Sequence, residues 1–110
     1  MEHKFVDGGL LDNVPAGEVK KLGADKIITV KFSTDLSYAP KSIYDVIFKS
    51  VDILFEGRSK EAVEQSDYVI DLKLPEARAF DTKKVDYCYE IGYVTAITEI
   101  NKIKEACMGN

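Results

Sequence analysis

The apolar and polar positions change period several times along the 110 residues. Lys4-Phe5-Val6 is a short extended segment, and Asp7-Gly8-Gly9 breaks it. Two adjacent glycines suit a backbone at positive φ, or one that another group approaches closely. Asn13 and Pro15 mark a helix entry, with Asn13 or Val14 near the cap and Pro15 in the first turn. This short helix runs through Glu18-Val19-Lys20-Lys21-Leu22, and Gly23 is placed to stop it in the left-handed region. Residues 26–32, Lys-Ile-Ile-Thr-Val-Lys-Phe, are rich in β-branched side chains and put apolar groups on both faces. That pattern predicts a strand covered on two sides, as in a parallel sheet. Residues 33–41 carry a proline and no period, so they form a loop.

Ser42 caps a predicted helix over residues 43–64. Asp45, Lys49, Asp52 and Glu56 fall at helical spacing and form one polar stripe. The rest of the first half is apolar, which predicts burial over most of the circumference. Gly57 lies within the pattern as a point of kinking or ending. Residues 68–74 give a second clear strand, with Asp71 and Lys73 sharing a face, as near a sheet edge. Residues 75–80 form a loop, and Asp81 or Thr82 caps a last helix that reaches about Cys107. In that helix Cys88, Gly92 and Ala96 make a column of small side chains suited to close packing. Val85, Ile100 and Ile103 flank the column, while Tyr87, Ile91 and Val94 point largely the other way. A helix with two apolar faces requires two partners. The predicted order is strand–helix–strand–helix–strand–helix, an α/β fold with parallel strands.

Composition narrows the function. The chain is 45% hydrophobic and 31% charged, within the globular range and sized for one domain. A net charge of −4 argues against a nucleic-acid partner, which calls for a basic patch. The apolar runs are too short to span a membrane, and Met1-Glu2-His3-Lys4 has no apolar signal region behind it. Cys88 and Cys107 fall many turns apart on one helix, so they cannot pair with each other. Reduced thiols, core or half-buried, and a cytoplasmic location with peripheral membrane contact are expected. Two cysteines are too few for a metal site, and neither metal nor cofactor is expected. A calcium loop over residues 7–13 fails on spacing, because its third and fifth positions are Gly9 and Leu11. No Gly-x-Gly-x-x-Gly joins a strand to a helix. His3 reads as an incidental surface residue. Tyr87, Tyr89 and Tyr93 read as packing against further parts of a domain rather than as a lipid-facing surface.

Read from the residues alone, Asp7 is first a turn aspartate, since Asp-Gly is a common turn signal. The longer run Phe5-Val6-Asp7-Gly8-Gly9-Leu10-Leu11-Asp12-Asn13-Val14-Pro15 resembles the patatin-like phospholipase family. The likeness continues through Leu22-Gly23-Ala24-Asp25-Lys26-Ile27-Ile28-Thr29-Val30. It resumes at Ser66-Asp67-Tyr68-Val69-Ile70 and Ala79-Phe80-Asp81, with Gly92 in the last helix. It covers nearly the whole chain but matches only the C-terminal part of that domain. The resemblance implies part of a three-layer α/β/α acyl hydrolase that cleaves lipid esters with a Ser–Asp dyad. By match to the motif, Asp7 is implied to be the catalytic aspartate, with Gly8 and Gly9 as its active-site loop.

The nucleophile elbow of that family, Gly-x-Ser-x-Gly, does not occur in the chain. The nearest stretch is Gly57-Arg58-Ser59-Lys60-Glu61, which lacks the second glycine and falls in a helix pattern, so Ser59 is not expected to be a nucleophile. No oxyanion-hole segment is recognisable either. The 110 residues are therefore expected to be a single partial domain, a C-terminal fragment or the product of an internal start, and inactive alone. The alternative is a non-catalytic α/β module that self-associates or binds a partner protein. In both readings an open sheet edge is left for a missing N-terminal half or for a second copy.

Overall fold

The computed structural model describes residues 2–75 and 81–109. The loop expected at 75–80 and the Ala79-Phe80 part of the resemblance lie mostly outside the described residues. The elements follow in the order α1 (Ala16–Lys21), β1 (Ile28–Ser33), α2 (Ile43–Glu64), β2 (Tyr68–Lys73) and α3 (Val85–Met108), with 3-10 turns at Gly8–Leu10 and Thr82–Lys84. The class is mixed α/β. The strands β1 and β2 pair in parallel, with Ile28 opposite Tyr68 and Val30 opposite Ile70.

Local chemistry explains most boundaries. Ser42 and Asp45 form a reciprocal capping box, in which Ser42 Oγ accepts the Asp45 N–H at 3.1 Å and Asp45 Oδ2 accepts the Ser42 N–H at 3.0 Å. Helix α2 then runs unbroken through Gly57 to Glu64, so that glycine neither kinks nor ends it. Gly23 stops the first helix at φ +98°, a conformation that favours glycine. The entry to α1 differs from expectation. Pro15 holds the cap position with no side-chain bond, and Asn13 instead reaches across to the Phe55 carbonyl at 3.4 Å. Asp81 caps the turn that leads into α3 by accepting the Lys83 N–H.

Successive residues of a strand point to opposite faces of the sheet, which separates the layers. Lys31 bonds Glu56 of α2, whereas Tyr68 donates its hydroxyl proton to Glu99 of α3. Lys31 shares a face with Asp71, three residues on from Tyr68 in β2. The two long helices therefore lie on opposite faces of the sheet. A small core joins Ala16, Ile27 and Ala62, with Val14 and Ala24 against it. Asp67 fastens the two strands at their start: its carboxylate accepts the Lys26 ammonium at 2.8 Å and the Ile27 N–H at 2.9 Å.

Further expectations fail for want of covering layers. Among the described residues the sheet has two strands rather than three, and Phe5 and Val6 belong to neither. β1 is covered on one face only: Thr29 is 4% exposed, but Val30 is 51% and Phe32 63%. Helix α2 is not buried over most of its circumference. Its polar stripe Asp45, Lys49, Asp52 and Glu56 is half-buried, while Tyr44, Ile47 and Leu54 face outward. Helix α3 keeps the sides of its column only in part. Tyr87 and Ile91 share the half-buried face with Cys88, Gly92 and Ala96, whereas Val85 and Ile100 are exposed, and no side chain presses on Gly92. Cys88 is half-buried, but Cys107 is exposed rather than packed. The Cα radius of gyration is 16.2 Å, against about 13 Å for a compact domain of this length.

Candidate active-site loop

Asp7 sits at the head of the first 3-10 turn, solvent-exposed, with an extended backbone at φ −61° and ψ 125°. Its Oδ1 accepts the Gly9 N–H at 2.8 Å, while its carbonyl accepts the Leu10 N–H at 3.2 Å. The carboxylate thus closes its own turn, as a capping aspartate does. Neither Gly8 nor Gly9 has positive φ, so that reason for the glycine pair fails. Close approach accounts for one of them. A Cβ on Gly9 would lie 3.1 Å from Asp7 Oδ1 and 3.8 Å from the Phe55 ring, whereas one on Gly8 would meet open space.

The loop is anchored to the middle of α2 rather than to a strand. Asn13 bonds the Phe55 carbonyl, and the Arg58 guanidinium donates to the Leu11 carbonyl. Asp12 Oδ1 accepts the Val14 N–H at 3.2 Å and turns the chain toward α1. Asn13 and Arg58 were missed as loop anchors in the sequence, since neither spacing nor period links residues more than forty positions apart; the Asn13–Phe55 separation is 42.

Among the described residues no hydroxyl is hydrogen-bonded to the Asp7 carboxylate, which is held by the Gly9 amide. Ser59 is 4% exposed, and its Oγ donates to the Glu56 carbonyl at 3.0 Å. A hydroxyl buried and spent on its own helix is the opposite of an elbow serine. His3 lies beside Phe5, with ring centroids 6.4 Å apart, and is exposed. Among the described residues no group of three His, Cys, Asp or Glu side chains is placed to hold a metal ion. Nor is any described helix long and apolar enough to cross a membrane.

The polar side chains with altered proton affinity lie in the scaffold. The hydrogen bond that Lys31 donates to Glu56 raises the Lys31 pKa above its usual value, helped by the charge of Asp71. The Lys26 hydrogen bond, then the Ile27 N–H, holds Asp67 below the usual carboxylate range. Burial alone pushes Asp52 up. No family model, no curated protein and no solved structure matches the chain.

Proposed function

We propose that these residues form the carboxylate-bearing part of a patatin-like serine acyl hydrolase that cleaves lipid esters. Asp7 is the dyad aspartate, and Gly8 and Gly9 leave clearance for serine and substrate. The observation that carries the reading is the Asp7-Gly8-Gly9 turn: an exposed carboxylate at its head, braced on α2 and followed by a parallel strand–helix–strand unit. A helix on each face of β1–β2 is consistent with the three-layer architecture that the reading requires.

Asp7 Oδ1 is held by the Gly9 amide, which leaves Oδ2 to take the serine proton as the hydroxyl attacks the ester carbonyl. The serine, and donors for the developing oxyanion, must come from outside these 110 residues. A carboxylate this exposed also needs cover, because a base for serine is raised by burial. The chain by itself is therefore expected to be inactive.

The coding sequence upstream of Met1 provides the first test. An in-frame Gly-x-Ser-x-Gly is expected there, and the longer product should hydrolyse p-nitrophenyl butyrate. Asp7→Asn in that product should lower kcat by roughly 10²–10⁴-fold. A missing elbow, or full activity in Asp7→Asn, overturns the reading. Turnover by the 110-residue chain that Asp7→Asn abolishes would overturn its inactivity.

The second reading, a non-catalytic module that associates through its surface, draws on one observation. Large apolar side chains are exposed on α2, β1 and α3 alike.

A further inference from the structure

β1 has a bare edge. Among the described residues its one hydrogen-bonded neighbour is β2. The Tyr68 N–H bonds the Ile27 carbonyl at 3.3 Å, and Ile28 lies opposite Tyr68. In a parallel ladder the backbone groups of alternate residues turn to opposite sides of the strand. Residues 27, 29 and 31 therefore face β2, and Ile28, Val30 and Phe32 aim their N–H and C=O groups outward. These are also the three exposed apolar side chains of β1. Native edges are commonly blunted by charge, proline or a bulge. Here the one charged side chain of β1, Lys31, is on the other face and tied to Glu56 and Asp71.

The chain exposes 9006 Å², against about 6,100 Å² for a compact monomer of its mass. The excess of roughly 2,900 Å² is spread over the whole chain, and the β1 edge is one part of it.

We infer that β1 pairs antiparallel with β1 of a second copy, about a two-fold axis at Val30, to give a four-stranded sheet. The edge is self-complementary in this register. Val30 faces Val30 of the second copy, Ile28 faces Phe32, and each pair exchanges both backbone hydrogen bonds. All the outward apolar side chains then meet on one face. A slip of two residues would centre the axis on Lys31 and set two lysines against each other. The outer face of α3, with its stacked Tyr89 and Tyr93, is also exposed, but it offers no unpaired backbone to fix a register. This inference does not rest on the hydrolase reading.

Sedimentation equilibrium of the 110-residue chain is expected to give about 25 kDa, twice 12.3 kDa. Val30→Lys should give a monomer with an unchanged circular-dichroism spectrum, and Tyr93→Lys should stay dimeric. Cysteine pairing reads the register, in a Cys88→Ser, Cys107→Ser background. Val30→Cys should cross-link to itself on mild oxidation, since Cα atoms about 5.5 Å apart suit a disulfide. Ile28→Cys should not cross-link to itself, but a mixture with Phe32→Cys should. The register assay decides the matter even if Val30→Lys fails to fold. A monomeric parent chain, a dimer that survives Val30→Lys but not Tyr93→Lys, or self-linking by Ile28→Cys overturns the proposal. A monomer with a protected Val30 amide would give the edge to Phe5-Val6 of the same chain, and it too overturns the proposal. None of these outcomes touches the esterase test of Asp7.

Discussion

Lys31 and Glu56 are joined across the boundary between sheet and helix, Nζ to Oε1 at 2.9 Å. Asp71 Oδ2 lies 3.7 Å from the same ammonium, so one cation ties α2 to both strands. The Lys31 side chain is only 12% exposed, and removing it would leave two carboxylates facing each other in its place. Lys31→Met is expected to destabilise the fold by about 1–2 kcal/mol at neutral pH, less than a fully buried pair because Glu56 is partly solvated. The Lys31 pKa is raised on folding, so its contribution is complete below about pH 10.5 and fades as pH rises through the folded value. Urea denaturation of parent and variant at pH 7 and above pH 11 should show the gap closing. A gap that does not change with pH would mean that packing of the lysine stem, not its charge, is responsible.

Asp67 predicts the opposite pH dependence. Its folded pKa is depressed by the Lys26 hydrogen bond and the Ile27 amide. Its stabilising effect is present above about pH 3.8 and is lost as pH falls through the folded value. Asp67→Ala should lower Tm at pH 6, and the difference should shrink as the pH is taken below 3.8. Because the clip sits where both strands begin, amide exchange of Ile27 and Tyr68 should quicken in the variant before that of α3 does.

Both clips were invisible as pairs in the sequence, although the elements they join were not. The start of helix α2 was legible because Ser42 carries its own boundary chemistry, and Gly23 marks its turn by its backbone freedom alone. Strand identity in 26–32 followed from β-branching, but the covering of its two faces did not. Ile28, Val30 and Phe32 announce an apolar face, yet nothing local says what lies on it. The polar stripe of α2 misled for the same reason. Its charges turn inward to Lys31 and the loop region, and its apolar side faces out, because periodicity fixes which residues share a face but not which face is covered. At the candidate site the motif was readable and its support was not: Asn13, Phe55 and Arg58 reach Asp7's turn through tertiary contacts.

Asp52 belongs to that inward stripe and pays for its place, since burial raises its pKa without a compensating cation. A carboxylate with a raised folded pKa favours the native state only while protonated. Asp52→Asn should therefore stabilise the chain at pH 7 and make no difference at pH 3, below both values. Chemical denaturation at the two pH values checks the sign, and a loss of stability at pH 7 would show that Asp52 has a partner in solution.

The two glycines after Asp7 should respond differently to a methyl group. At Gly9 a Cβ would stand 3.1 Å from the Asp7 carboxylate oxygen that the Gly9 amide binds, and 3.8 Å from the Phe55 ring. The ring would be in ordinary van der Waals contact, so the carboxylate is the neighbour that must give, by a few tenths of an ångström. Gly9→Ala should therefore turn the Asp7 carboxylate off the amide and loosen residues 8–12 from the helix. Gly8→Ala meets open space at an ordinary φ, and it should leave the turn intact. Amide exchange read by NMR at residue 9 distinguishes them, fast in Gly9→Ala and unchanged in Gly8→Ala. Asp7→Asn keeps a side-chain oxygen for the same amide and should preserve its protection, whereas Asp7→Ala should abolish it. Equal protection in Asp7→Ala and the parent would remove the cap from the account of the loop and leave its hold on α2 to Asn13 and Arg58.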